Sequence, residues 1–229
     1  MQNLPLYISI VFGLTTLLTV GIFFKAANYS KTTLIILLIW LGLQATIAMS
    51  GFYTVTDSIP PRFLLLVLPP MLLIIGLFAT PKGRQFIDSL DIKTLTILHI
   101  IRIPVELVLL WLFLFKAVPQ LMTFEGRNLD ILSGITAPII YYFGSIKRRL
   151  DRKIILLWNF FCIGLLFNIV INAILSAPSP FQKFAFDQPN IAVLHFPFVW
   201  LPCCIVPLVL FSHLVAIRQL LNRQKNSSF

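Results

Sequence analysis

Charge is what this chain has least of. Asp, Glu, Lys and Arg make up 11% of its 229 residues, against roughly 25% in soluble domains, and eight acidic residues face eighteen basic ones. So little charge cannot cover a water-facing surface. Hydrophobic residues at 58% and a mean hydropathy of +0.92 place the chain in a membrane. Cysteine is also scarce. Cys162, Cys203 and Cys204 all fall inside apolar runs, which excludes an extracellular disulfide framework. No H-E-x-x-H, G-x-S-x-G or phosphate-binding glycine loop occurs, so common hydrolases and ATP-driven machines lack support. No lysine lies between Ile191 and Ile217, which removes a retinal-bearing last helix. Three histidines at different depths do not supply the three clustered ligands of a catalytic zinc.

The sequence does hold long apolar runs. At about 20 apolar residues per crossing, they predict an all-α integral membrane protein, a bundle of seven transmembrane helices. The runs are Leu4 to Phe24, Thr33 to Tyr53, Arg62 to Thr80, Thr94 to Val118, Leu129 to Ile146, Ile154 to Ser176 and Ile191 to Ile217. They follow one another too closely for a separate soluble domain, so residues 1–229 read as a single polytopic domain. The first run has no basic residue ahead of it and Lys25 just behind, the reverse of a cleavable signal, so it is expected to be a retained helix.

Basic residues orient the bundle. With the N-terminus outside, thirteen fall on the inner side: Lys25, Lys31, Lys82, Arg84, Lys93, Lys147, Arg148, Arg149, Arg152, Lys153, Arg218, Arg223 and Lys225. Four fall outside: Arg62, Lys116, Arg127 and Lys183. Lys and Arg accumulate in cytoplasmic loops, so the split predicts an outside N-terminus and a cytoplasmic C-terminus. The net charge of +10 is then topological and implies no nucleic-acid partner. The expected partner is the lipid bilayer and the expected location a bacterial inner membrane.

Two connections carry more than linker chemistry. Residues 81–93, PKGRQFIDSLDIK, mix apolar and charged positions and read as either a short interfacial helix or a plain loop. Residues 176–190 hold three prolines and three phenylalanines, a composition suited to an outside loop at the headgroups. FLLLVLPPMLLIIGLF from Phe63 aligns without gaps with FPFVWLPCCIVPLVLF from Phe196, and IILLIW from Ile35 is similar to IILLW from Ile154. A three-one-three repeat would produce this. That plan resembles small sugar transporters, and the helix count resembles seven-helix receptors, but the motifs of neither are present.

The stretch HIIRIPVE, residues 99 to 106, puts His99, Arg102 and Glu106 inside a membrane-length run. Insertion scales put an Arg or Asp at a helix centre at roughly 2.5 to 3.5 kcal/mol, so these groups must be satisfied within the protein. Positions i, i+3 and i+7 share a helix face, and Arg102 and Glu106, four apart, are expected to neutralise each other. Gln44, Asn168 and Asn172 are expected to add hydrogen bonds around them, forming a buried polar binding cluster; Asn159 adds another amide to the sixth run. A second concentration, Glu125, Arg127, Asn128 and Asp130, together with His195, is expected at the outer rim, where a solute would enter or where an interfacial helix is capped.

His195 and His213 are eighteen residues apart, about 27 Å along one helix face at 1.5 Å per residue. His99 and His213 fall at similar depth near the inner ends of their runs. The leading expectation is a protein that binds and transports a small polar or charged solute, with Glu106 as the coupling group. One alternative is a membrane-embedded enzyme or redox protein using His99 and His213 with haem or a metal. The other is a structural subunit of a membrane complex. No bound metal is expected in the leading reading.

Overall fold

The computed structural model describes the backbone of residues 4–226 and the side chains of residues 4–222. Arg223 and Lys225, counted above, have side chains outside that range. The described chain is all helix, with no strand. Its helices are α1 (Leu6–Ala26), α2 (Lys31–Met49), α3 (Leu64–Ala79), α4 (Pro81–Ser89), α5 (Ile92–Leu98), α6 (Arg102–Leu114), α7 (Ile131–Ile140), α8 (Arg152–Ser176) and α9 (Val206–Asn226). A 3₁₀ turn at His99–Ile101 joins α5 to α6, and π-helical turns at Tyr141–Ile146 and Leu201–Ile205 extend α7 and precede α9.

Among the described residues five helical stretches are long and apolar enough to cross a membrane: Leu6–Ala26, Lys31–Met49, Ile92–Leu114, Arg152–Ser176 and Leu201–Asn222. The pair α3–α4, bent by 96°, makes a sixth if counted as one span, and Ile131–Ile146 is a shorter apolar helix. This is an integral membrane architecture.

Local chemistry explains where the helices begin and turn. Ser30, Thr80, Asp91 and Asp151 each N-cap the helix that follows by accepting a hydrogen bond from a backbone amide in its first turn. Residues 81–93 contain the helix α4, so the plain-loop alternative is removed. Gly83 makes the bend before it: a Cβ there would lie 2.3 Å from the Leu77 carbonyl oxygen. Between α5 and α6, Pro104 has no N–H to donate to the carbonyl of Ile100, and the chain passes through a 3₁₀ turn at that point.

The last span differs from expectation. Residues 191–200 form turns rather than the start of a helix: Pro197 has no N–H to donate to the Val193 carbonyl, and the Ile191 and Ala192 amides donate to the Ala117 carbonyl oxygen at 3.1 and 3.0 Å. The helix runs from Leu201, about ten residues later than the hydropathy pattern suggests. His195 and His213 therefore do not share one helix, and the 27 Å spacing does not apply. Pro207 removes the partner of the Cys203 carbonyl, which instead accepts from the Trp40 indole at 2.9 Å and ties α2 to the last span.

The core lies among α1, α5–α6 and α9, while α2 and α8 turn most of their surface outward. At one end, Asn28 donates to the Ser89 carbonyl at 2.8 Å, Asp91 N–H to Ala26 at 2.9 Å, and Arg218 pairs with Asp88 at 2.9 Å. The π turn Tyr141–Ile146 packs on α5. At the other end, Gln188 donates to the Phe113 carbonyl at 3.0 Å, Asn168 to the Arg127 carbonyl at 2.7 Å, and Asn190 N–H to Ser176 at 2.9 Å.

Candidate functional site

Between these ends, α6, the segment before α7, α8 and α9 bring polar side chains into the apolar core. Helix α7 can approach α6 because residue 134 is glycine: a Cβ there would meet Ile103 Cγ1 at 2.9 Å and Arg102 Cβ at 3.3 Å. This contact sets Arg102 opposite the N-terminus of α7. Its Nη1 donates to Asp130 Oδ1 at 2.5 Å, and the two residues are only 2% and 6% exposed. Such burial rules out snorkelling to water, so the guanidinium is neutralised inside the protein.

The other arm of Arg102 reaches α9. Nη2 lies 3.0 Å from His213 Nε2. A guanidinium has no acceptor, so Nε2 accepts and the His213 proton sits on Nδ1. Nδ1 then donates to Asn159 Oδ1 on α8 at 2.8 Å, and the Asn159 amide donates to the Ile155 carbonyl at 2.8 Å. His99 stacks on His213, with ring centroids 3.8 Å apart and planes 13° apart, and Trp158 meets both rings edge-on at 5.6 Å. Trp158 in turn donates to Thr136 Oγ1 at 2.9 Å.

Glu106 is bound differently. Asn128 Nδ2 donates to Glu106 Oε1 at 2.5 Å and to the Met122 carbonyl at 3.0 Å, while Asn128 Oδ1 accepts from Asp130 N–H at 3.0 Å. One amide side chain thus pins the 122–130 segment to α6. Glu106 Oε2, Arg102 Nε, His99 Nδ1 and Ser133 Oγ are buried without a hydrogen-bond partner. A cavity of about 100 Å³ is bordered by Arg102, Glu106 and Asp130, and every other residue around it is apolar, from Val67 on α3 through Leu166 on α8 to Val209 on α9.

The sequence expectations divide accordingly. His99, Arg102 and Glu106 are buried in one cluster. The expected Arg102–Glu106 pair is replaced by Arg102–Asp130, because the approach at Gly134 puts a carboxylate from another element in line with the guanidinium. Asn128 and Asp130 belong to this cluster and not to the rim. Glu125 and Arg127 are exposed, and His195 is half-buried with Nδ1 3.0 Å from the Ile191 carbonyl oxygen. Gln44 is buried elsewhere, accepting from Tyr53 Oη at 2.5 Å. Asn168 is exposed, and Asn172 donates back to the Asn168 carbonyl at 2.9 Å, so this pair braces α8 against the loop at Arg127 without bordering the cavity.

Asn159, Trp158 and Ser133 complete the site. Asn159 stands out in the sequence only as one more amide in an apolar helix; nothing in its spacing points to His213. Six-coordinate haem needs two imidazoles on opposite faces of a porphyrin. Here the rings are stacked on each other and both His213 nitrogens are engaged, which suits a hydrogen-bonded relay. Among the described residues no group of three or more His, Cys, Asp or Glu is placed to hold a metal ion.

No curated protein and no solved structure matches the chain. Residues 59–221 match a family whose description is "Domain of unknown function (DUF8737)", a segment that begins after α2 and contains every member of the cluster from His99 to His213. The chain belongs to the DUF8737 family.

Proposed function

We propose that this protein crosses a bacterial inner membrane seven times, N-terminus outside and C-terminus cytoplasmic, and that it binds and transports a small polar or charged solute at the buried charged cluster. The observation that carries the reading is the cavity itself. A carboxylate and a guanidinium border it, and each keeps a buried polar atom without a partner. Leaving such atoms unmet costs about 1 to 3 kcal/mol each, more when charged, and intramembrane ionisable groups mark solute and proton pathways. Glu106 is the coupling group, exchanging its proton for the solute. Arg102, held by Asp130 and His213, supplies a fixed positive wall.

Seven crossings are supported by the two groups of loop contacts: the connections after α1 and around α4 and the π turn after α7 fall in the first, and those after α6 and α8 in the second. Helix α3 and the stretch Ile131–Ile146, at 16 residues each, rise about 24 Å and need the adjoining turns to span a core about 30 Å thick. The group containing Lys25, Lys82, Lys93 and Arg218 is the basic one, which orients it to the cytoplasm.

Two measurements test this. In a variant without native cysteines, single cysteines at Lys147 and Ser179 should label from opposite sides of the membrane with an impermeant maleimide; same-side labelling removes the seven-span topology. Proteoliposomes enclosing a pH-sensitive dye should report an internal pH change when one class from a panel of amines, carboxylates and sugars is added, and none with Glu106→Gln. A panel that moves no protons through the wild type defeats the transport reading.

A further inference from the structure

Counting charge around the cavity narrows the solute. Among the described residues Arg102 is the one cation at its wall, and it is already committed to Asp130 at 2.5 Å. Glu106 has only a neutral partner, the Asn128 amide on Oε1, and its Oε2 is unmet. The charged groups near Glu106 are Arg102, one turn before it on α6, and Asp130 at the start of α7. The wall residues from α8 and α9, including Leu166, Val170 and Val209, are apolar. His213 is engaged at the guanidinium and His99 is stacked on His213, and neither hydrogen-bonds to Glu106. With both carboxylates ionised the buried cluster carries one uncompensated negative charge. Two things relieve it: a proton on Glu106, or a cation in the cavity.

We propose that the cavity takes a small primary alkylammonium ion that displaces the Glu106 proton. The ammonium donates to Oε2, and its positive charge replaces the proton's. The ligand's body must be apolar, because outside Arg102, Glu106 and Asp130 the wall offers no polar side chain; a sugar or an amino-acid zwitterion would bury groups it cannot satisfy. Size sets the chain length. An apolar cavity of about 150 Å³ holds the six heavy atoms of benzene, so about 100 Å³ suits a ligand of four to five heavy atoms. The exchange balances: one alkylammonium enters intact and one proton leaves the carboxyl group to water. This rests on reading the cavity as a binding site.

The test uses isobutylammonium and isobutanol with the purified full-length protein in lipid nanodiscs. Calorimetry in buffers of different ionisation enthalpy counts protons. Isobutylammonium is expected to bind with release of up to one proton per ion, and its apparent Kd to fall by up to tenfold per pH unit as pH rises, until Glu106 is ionised. Glu106→Gln should abolish proton release and weaken binding at least tenfold; the wild-type proton count decides the matter even if that variant folds poorly. Isobutanol should bind at least tenfold more weakly. If isobutanol binds as well as the amine and no proton is released, the cation inference falls while the cavity remains a binding site. Binding of neither probe overturns both.

Discussion

Replacing Asp130 by Asn keeps the shape of the side chain and removes its charge, leaving the Arg102 guanidinium buried at 2% exposure without its counter-ion. Two unit charges about 4 Å apart attract by about 4 kcal/mol at an effective dielectric near 20, and breaking a buried pair from one side costs about 3 to 5 kcal/mol. Asp130→Asn and Arg102→Met are each expected to lose about that much. The double variant removes both charges and should recover most of it, giving a coupling energy of about 3 kcal/mol. Glu106 supplies the contrast. Its Oε1 accepts from Asn128, a bond that the carbonyl of a glutamine retains, so Glu106→Gln should cost less than about 1 kcal/mol. Its cycle with Arg102→Met should show no recovery. The assay is reversible unfolding in mixed micelles followed by tryptophan fluorescence, with Trp158 as a reporter beside the histidine stack. Additivity of Arg102→Met and Asp130→Asn within about 0.5 kcal/mol, or a larger loss from Glu106→Gln than from Asp130→Asn, would refute the assignment of the pair.

Gly134→Val should separate α7 from α6, because even a Cβ at this position lies 2.9 Å from Ile103 Cγ1; a loss of at least about 2 kcal/mol is expected, with a smaller Arg102/Asp130 coupling energy in the same background. Unchanged coupling would show that the close approach does not position the pair. Asp91, outside the membrane at the head of α5, is partly buried, which raises its pKa, but hydrogen bonds from Thr94 and Lys93 outweigh this and hold it below the ordinary 3.8. A depressed carboxyl pKa stabilises the fold above the unfolded value and loses that stabilisation as pH falls through the folded one. Between about pH 5 and pH 3 the wild type should therefore lose more unfolding midpoint than Asp91→Asn, which keeps a capping oxygen; parallel curves would remove the cap's pH dependence.

Composition determined the environment. With charge at 11% and apolar residues at 58%, the chain has no other place to bury its surface, and helices follow because lipid leaves backbone groups only intrahelical partners. The same cost argument marked His99, Arg102 and Glu106 from one run of eight residues. It could not choose the partner of Arg102. Spacing within a helix is visible in sequence and made Glu106 the obvious counter-ion, whereas Asp130 becomes one only because Gly134 admits a close crossing of two helices. Asn128 and Asp130 read as a solvated helix start for the same reason: burial is decided by what packs over a segment, not by the segment itself. The start of the last span was misplaced because residues 191–200 are as apolar as a span, while Pro197 lacks the N–H a helical ladder needs and the Ile191 and Ala192 amides are tied to the Ala117 carbonyl, 74 residues away from Ile191. The relay from Asp130 through Arg102 and His213 to Asn159 draws on four separate segments, and contacts across such separations follow from the fold alone.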